Sequence, residues 1–333
     1  MSNNRSSEFP SNNGNPPTPQ ITVVVPCYRE KDQILGVLRK FDSNIKHIIV
    51  VDDACPEKTG EFVLKNNNDK RVQVITHDNN QGVGGATITG YLKAIELGSN
   101  IIVKVDGDGQ MDPAMIQTLI GPIQRGEADY TKGNRFYKLN GLSKMPPLRL
   151  FGNLILSFAS KMSSGYWKIF DPTNGFTAIH SKVLQELHLE KFHKGYFFES
   201  DMLFQLNISK AVVFDVPIQA IYGNEKSSLK ISQIFLLFLI KHIKNFFRRI
   251  AYNYFLHDFN IASIELVIGL IFIFFGSIFG GLEWYKSSIT GVTATAGTVI
   301  IAALPLLVGS QLLISFLNFD VRNQPEYPLH LNL

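Results

Sequence analysis

The stretch VKVDGDGQMDP, residues 103–113, drives an apolar strand directly into Asp106, Asp108 and Asp112, with glycines between them. Carboxylates this close repel one another, so either water solvates an acidic turn or a divalent cation draws them together. Around this stretch the chain alternates short β-branched runs with helical patterns. ITVVV (21–25), HIIVV (47–51), RVQVIT (71–76), IIVKV (101–105) and ADYTKG (128–133) read as strands. Between the first two, Ile34, Leu35, Leu38 and Phe41 mark one face of a helix. Alternation of this kind implies a doubly wound, mostly parallel α/β sheet with right-handed crossovers. Ligands of such sheets bind beyond the carboxyl ends of the strands. The polar clusters PCYRE (26–30), DDACPE (52–57), HDNNQG (77–82) and DGDGQMD (106–112) all fall there, on one rim.

The segment QGVGGATITG (81–90) imitates a dinucleotide-binding glycine loop but follows the third strand rather than the first, which argues against a nicotinamide enzyme. Its expected role is close backbone approach at a helix start, with amides facing a phosphate or sugar. Asp112 before Pro113 suits a helix cap better than a ligand. Cys27 and Cys55 have no metal-binding or redox spacing and read as reduced thiols at the core's edge. His180 reads as a packing or locally hydrogen-bonded residue rather than a metal ligand.

The chain of 333 residues is long enough for one full domain and more, and its formal charge of +4 is mild and gives no sign of a nucleic-acid partner. Residues 1–20, rich in Ser, Asn and Pro, read as a disordered tail with no signal-peptide core, so the folded part is expected in the cytoplasm. The other end is apolar. Residues 261–281 carry only Glu265, and residues 292–317 carry no charge, so each suits a membrane span. LEWYKSSIT (282–290) is expected as the hairpin tip, with Trp284 and Tyr285 at the interface, and Pro305 as a kink in the second span. Residues 226–255 set Lys226, Lys230, Lys241, Lys244, Arg248 and Arg249 against Ile243, Phe246, Phe247 and Ile250, the pattern of a helix lying in the headgroup region. Their basic excess places this side, and with it the catalytic domain and both termini, in the cytoplasm. The expected organisation is a tail (1–20), a catalytic domain (21–225), an interface helix region (226–257), a two-helix transmembrane hairpin (258–318) and a cytoplasmic tail (319–333). A chain ending near Gly223 is expected to be far more soluble than the whole.

The motifs VVVPCYRE, VVDDACPEKTG, NNQGVGGA, VKVDGDGQMDP, KGNRF and DPTNGFTAIHSKVL occur in the order seen in family 2 inverting glycosyltransferases of the GT-A fold, which the chain resembles over about residues 21–225. The GQ-containing DxD motif followed by two spans resembles the polyprenyl-phosphate branch, to which dolichol-phosphate mannose synthases belong. The resemblance implies inverting transfer of one hexose from a UDP- or GDP-sugar to undecaprenyl or dolichyl phosphate. It also implies Mg2+ or Mn2+ held by Asp106 and Asp108, with Gln110 completing the set, and a nucleotide-sugar site built from Pro26, Tyr28, Glu30, Asp53, Gly82 and Asp106. Arg135 and Arg149 match positions that bind the acceptor phosphate. Asp201, beside Glu199, falls at an acidic acceptor site as base or positioning residue, and Asp171 is a further sugar- or acceptor-site candidate. The alternatives are ordinary ones: Glu30 as a first-turn helix acid, Glu199 or Asp201 as a cap, Arg135 paired with a carboxylate, Arg149 snorkelling from an apolar helix. Arg29, Cys55 and Glu57 stand where the family usually has Asn, Ser and Asp, which leaves the base of the nucleotide open. A processive polysaccharide synthase would carry QxxRW, absent here. Transfer to another membrane lipid and a non-catalytic membrane scaffold remain as rivals, and homo-oligomerisation is left open.

Overall fold

The computed structural model describes residues 19–136, 147–218 and 231–333. Seven strands form one sheet: β1 (Ile21–Cys27), β2 (Ile45–Asp52), β3 (Val72–Thr76), β4 (Ile101–Lys104), β5 (Tyr130–Asn134), β6 (Thr177–His180) and β7 (Val213–Pro217), in the order β3-β2-β1-β4-β6-β5-β7. All pairings are parallel except those of β6, which runs antiparallel between β4 and β5. The strand order reverses between β1 and β4, which opens a crevice at their carboxyl ends.

Every residue of β1 and β4 is buried. Such strands need helices on both faces, and their near-continuous Val and Ile content reflects that. On one face Val23, Val25 and Val103 pack with α1 (Ile34–Leu38) and α4 (Ile116–Gln124). On the other, Val24 and Ile102 pack with α3 (Gly82–Glu96), α6 (Ser181–Glu186) and α7 (Phe198–Ile208). A Cβ at Gly90 would come within 2.2 Å of Val24, so glycine there lets α3 lie close on the sheet. The short helix α2 (Thr59–Asn66) connects β2 to β3.

Beyond this core come α5 (Pro147–Ser164) and α8 (Ile231–Ala251), which pack on each other, and a π-helical turn over Tyr252–His257. Two long apolar helices follow, α9 (Ile261–Thr290) and α10 (Ala296–Arg322), packed as a hairpin and exposed over most of their apolar surface. The expected tip LEWYKSSIT is instead the last turns of α9, because nothing in it breaks a helix. The helix stops at Gly291, whose φ of 67° ends it, and Thr295 caps α10. Pro305 sits inside α10 without ending it. After Arg322 the chain returns to the sheet, where Leu329 and His330 donate backbone N–H bonds of 2.7 and 2.9 Å to the buried Asp129 carboxylate.

Candidate active site

Strand β4 ends on Lys104, whose ammonium is wholly buried. It donates to Asp106 Oδ1 at 2.6 Å, Glu199 Oε1 at 3.1 Å and the Gly175 carbonyl at 3.4 Å. Burial pulls its pKa down, but the two carboxylates outweigh that and raise it. Lys132 on β5 is equally buried; it donates to the Asn174 carbonyl, and desolvation lowers its pKa to about 8. Neither lysine belongs to the expected site set. Their signal was present in VKVD and TKGN, where a cation interrupts an otherwise buried strand.

Where the chain leaves β4, Asp106 and Asp108 reach the wall of an open cavity of about 430 Å3. Pro26, Tyr28, Glu30, Asp53 and Gly82 of the expected nucleotide set line the same cavity, joined by Cys27, Asn80, Gly195 and Tyr196, which were not among the expected site residues. Tyr28 is exposed, with the Arg29 guanidinium 5.4 Å from its ring centre. Glu30 Oε2 is buried with no hydrogen-bond partner and lies hard against Gly107. Burial, reinforced by Asp106 and Asp108, pushes the Glu30 carboxyl up to about 9. Both cysteines are free and buried, and Asp112 caps the turn after it through a 3.1 Å bond from Ala114 N.

The glycine turn makes the expected close backbone approach, but three of its amides are taken within the protein: Gln81 N and Gly82 N donate to the Asp53 carboxylate at 2.8 and 2.7 Å, and Gly85 N donates to the Lys194 carbonyl at 3.1 Å. A Cβ at Gly82 would lie 2.6 Å from Lys194 O, and one at Gly84 would lie 2.6 Å from His193 O. These glycines admit the backbone of the His193–Gly195 loop. Asp53 also takes His77 Nδ1 at 2.7 Å, so its carboxylate braces the cavity wall from within.

The acceptor-side candidates lie around this cavity rather than in its wall. Arg135, at the carboxyl end of β5, grips Asp171 through Nε and Nη2 at 2.8 and 3.0 Å, the ion-pair alternative weighed for it. Asp171 is buried, and its carboxylate also receives the Arg135 N–H at 3.3 Å. Glu199 and Asp201 occupy the first turn of α7 rather than capping it. Glu199 is bound to Lys104; Asp201 accepts from His193 N at 2.9 Å and Asn245 Nδ2 at 3.1 Å. Gln110 donates its backbone N–H to Asp108 Oδ1 at 2.9 Å. Arg149 falls in the first turn of α5, and its side chain lies outside the described residues. Residues 226–230, expected to open the interface helix, lie outside them too.

An apolar face adjoins the site. Phe151, Leu154 and Phe158 of α5 and Leu236, Leu237, Ile240, Ile243 and Phe247 of α8 are exposed on two helices packed side by side. The sequence pointed to α8 in this role, but only Ile243 and Phe247 of the expected apolar row are exposed; Phe246 and Ile250 pack with Tyr254 and Phe316, and Arg249 is buried against Asp320 instead of facing headgroups. Helix α5 adds a second exposed row.

Comparison with known proteins gives this arrangement a context. The family model described as "Glycosyl transferase family 2" matches residues 22–188. A UDP-N-acetylglucosamine--dolichyl-phosphate N-acetylglucosaminyltransferase of Methanococcus voltae is 33% identical over 216 residues, covering 61% of this chain and 86% of that protein. The polyprenol monophosphomannose synthase of Mycolicibacterium smegmatis is 28% identical over 208 residues, covering 61% and 77%. Glucosyl-3-phosphoglycerate synthase of Mycobacterium tuberculosis, solved with Mn2+, UDP-glucose and phosphoglyceric acid, superposes with a TM-score of 0.52 at 16% identity, covering 70% of this chain and 80% of that one. That likeness concerns the fold alone. The family match spans just over half of the chain and includes every strand around the cavity; the chain belongs to glycosyl transferase family 2 and is a glycosyltransferase with the GT-A fold.

Proposed function

We propose that the protein transfers one hexose, with inversion, from a nucleoside-diphosphate sugar to a polyprenyl phosphate at the cytoplasmic membrane face, in a reaction that needs Mg2+ or Mn2+. The observation that carries this reading is the pair Asp106 and Asp108 on the cavity wall, with Tyr28 and Glu30 lining the same cavity. The donor set suits a hard divalent ion, which takes one or two carboxylates and keeps its other positions for water and phosphate oxygens. Among the described residues no cluster of three or more acids, histidines or cysteines forms a closed cage. An open pair that leaves room for a diphosphate is the arrangement such an ion needs. Asp106 and Asp108 would hold it, with Gln110 beside them, and when bound it offsets the charge on the departing diphosphate.

The chain's own residues do the rest. The Lys104 ammonium, 2.6 Å from Asp106 Oδ1, fixes the direction of that carboxylate. Tyr28 offers a face to the base. Glu30, on the same wall, turns its carboxyl group to the base or ribose. Asp171 locks the Arg135 guanidinium in one orientation, and Arg135 and Arg149 receive the acceptor phosphate. That phosphate is already ionised and needs little proton removal, and Asp201, which holds His193 N and Asn245, serves as a positioning residue through that loop. The exposed faces of α5 and α8 and the hairpin α9–α10 rest in the bilayer and present the lipid acceptor to the rim. By name, one of the two relatives described above transfers N-acetylglucosamine to dolichyl phosphate and the other makes polyprenol monophosphomannose, which supports the acceptor class and leaves both sugars in view.

The test is a screen of full-length protein in detergent with Mn2+, UDP- and GDP-sugars, and undecaprenyl or dolichyl phosphate, read by sugar appearing in the lipid phase. Transfer from one donor supports the reading. Hydrolysis alone, or transfer only to a growing polysaccharide, contradicts it.

A further inference from the structure

One face of α8 looks away from the exposed apolar row and grips a single loop. Phe238, Lys241, His242 and Asn245, spaced as neighbours on a helix, all meet the segment between His193 and Asp201. Phe197 stands edge-on to Phe238 at 5.3 Å and to His242 at 4.9 Å, with Lys241 Nζ 5.5 Å from its ring centre. Lys241 Nζ bonds to His193 Nε2. The His193 ring accepts from Gly195 N at 3.1 Å, and the His193 backbone N–H is held by Asp201, whose other oxygen takes Asn245. His193 is therefore fastened twice to α8, through its ring by Lys241 and through its backbone by way of Asp201 and Asn245.

The far side of this loop is the donor cavity. Gly195 and Tyr196 line it, His193 O and Lys194 O lie against Gly84 and Gly82, and Lys194 Nζ reaches Gln81 Oε1 at 3.3 Å. A helix whose outer face is apolar and exposed thus holds one wall of the nucleotide pocket. We propose that Lys241 and Asn245 are positioning residues for donor binding, setting the His193–Tyr196 wall from the helix that rests on the membrane. This rests on the cavity being the nucleotide-sugar site. Asp106 is fixed by Lys104 rather than by this wall, so displacement of the wall changes how tightly the donor is held more than how fast bound donor reacts.

The experiment uses the full-length protein in lipid nanodiscs and two near-isosteric changes, Lys241→Met and Asn245→Leu. Helix α8 keeps independent anchors in both, through His242 Nδ1 with Ser163 Oγ at 2.8 Å and Arg249 with Asp320 at 2.6 Å. Calorimetric titration with Mn2+ plus UDP, and Mn2+ plus GDP, measures the site directly; steady-state transfer from the donor found active separates KM from kcat. Either change should weaken nucleotide binding and raise donor KM about tenfold while kcat stays within about threefold. Exchange of backbone amides in residues 192–197 should rise without a change across α1–α4. Unchanged nucleotide affinity and donor KM in both variants would overturn the coupling while leaving the donor site intact. Wild-type protein that binds neither nucleotide would overturn the donor site and the coupling together.

Discussion

Lys104 is the residue on which the polar interior turns. It is 0% exposed, and its ammonium lies between Asp106 and Glu199. Removing one partner from a buried charge cluster leaves the other uncompensated, at a cost of about 3–5 kcal/mol. Lys104→Met should lower the melting temperature by several degrees and abolish transfer, as read by thermal unfolding and turnover. Adding Glu199→Gln should restore most of the stability, because it neutralises the deeper acid, but not the turnover, because Asp106 still lacks its cation. Recovery of both would show that Lys104 serves the fold alone. Lys104 and Lys132 were hard to see in advance because lysine is usually a surface residue, and only the finished sheet shows that both strands are covered. Gly82 and Gly84 were visible as glycines, but their reason lies in a loop over a hundred positions onward that no local pattern reveals. Arg135 and Asp171, by contrast, were both named from motifs, and the structure adds that they hold each other.

At the scale of elements, β1–β5 could be read directly because their Val and Ile runs are bounded by turn residues. Strands β6 and β7 could not: TAIH and VFDVP are short, and they become strands only by pairing with β4 and β5. The end of β6 also carries a feature formed by tertiary contact. His180 stacks on His330 at 4.3 Å between ring centres, while the His330 ring and backbone both bind Asp129. Burial, aided by the nearby His330 and Lys182, pulls His180 from 6.5 to about 4, against a smaller opposing pull from Asp129. Its folded pKa lies below its unfolded one, so the unfolded chain binds more protons in this window. The stabilisation is whole above about pH 6.5 and fades as pH falls towards 4. Amide exchange in residues 324–333, corrected for intrinsic rate, should therefore quicken between pH 7 and pH 5. His180→Phe, which stacks but does not titrate, should flatten that dependence. Equal dependence in both proteins would remove His180 from the account.

For the whole molecule, the junction between domain and hairpin is a buried polar knot. Asp320 of α10 takes Arg249 Nη1 and Nη2 at 2.6 and 3.0 Å, the Tyr254 hydroxyl at 2.7 Å and Trp167 Nε1 at 3.1 Å. Arg249 also donates to the Met162 carbonyl at 2.8 Å, which ties α5, α8 and α10 together. Asp320→Ala strands a buried guanidinium and should cost about 3–5 kcal/mol, read as earlier thermal unfolding in detergent; a melt unchanged from wild type would make the knot incidental. The same packing alters the expectation for a chain cut near Gly223. Cutting there strips α8 from Phe197, Ser163 and α5 and should expose apolar surface instead of yielding a well-behaved soluble domain.

The central claim is that Asp106 and Asp108 work through a divalent ion on a sugar diphosphate, and one assay bears on it most directly. Radiolabelled sugar transfer into polyprenyl phosphate is measured with full-length protein in nanodiscs, with Mn2+, with chelator, and with Asp106→Ala or Asp108→Ala. The account predicts label in the lipid phase only with metal, and a fall of roughly a thousandfold in either variant. Undiminished transfer by either variant in the presence of chelator would contradict it.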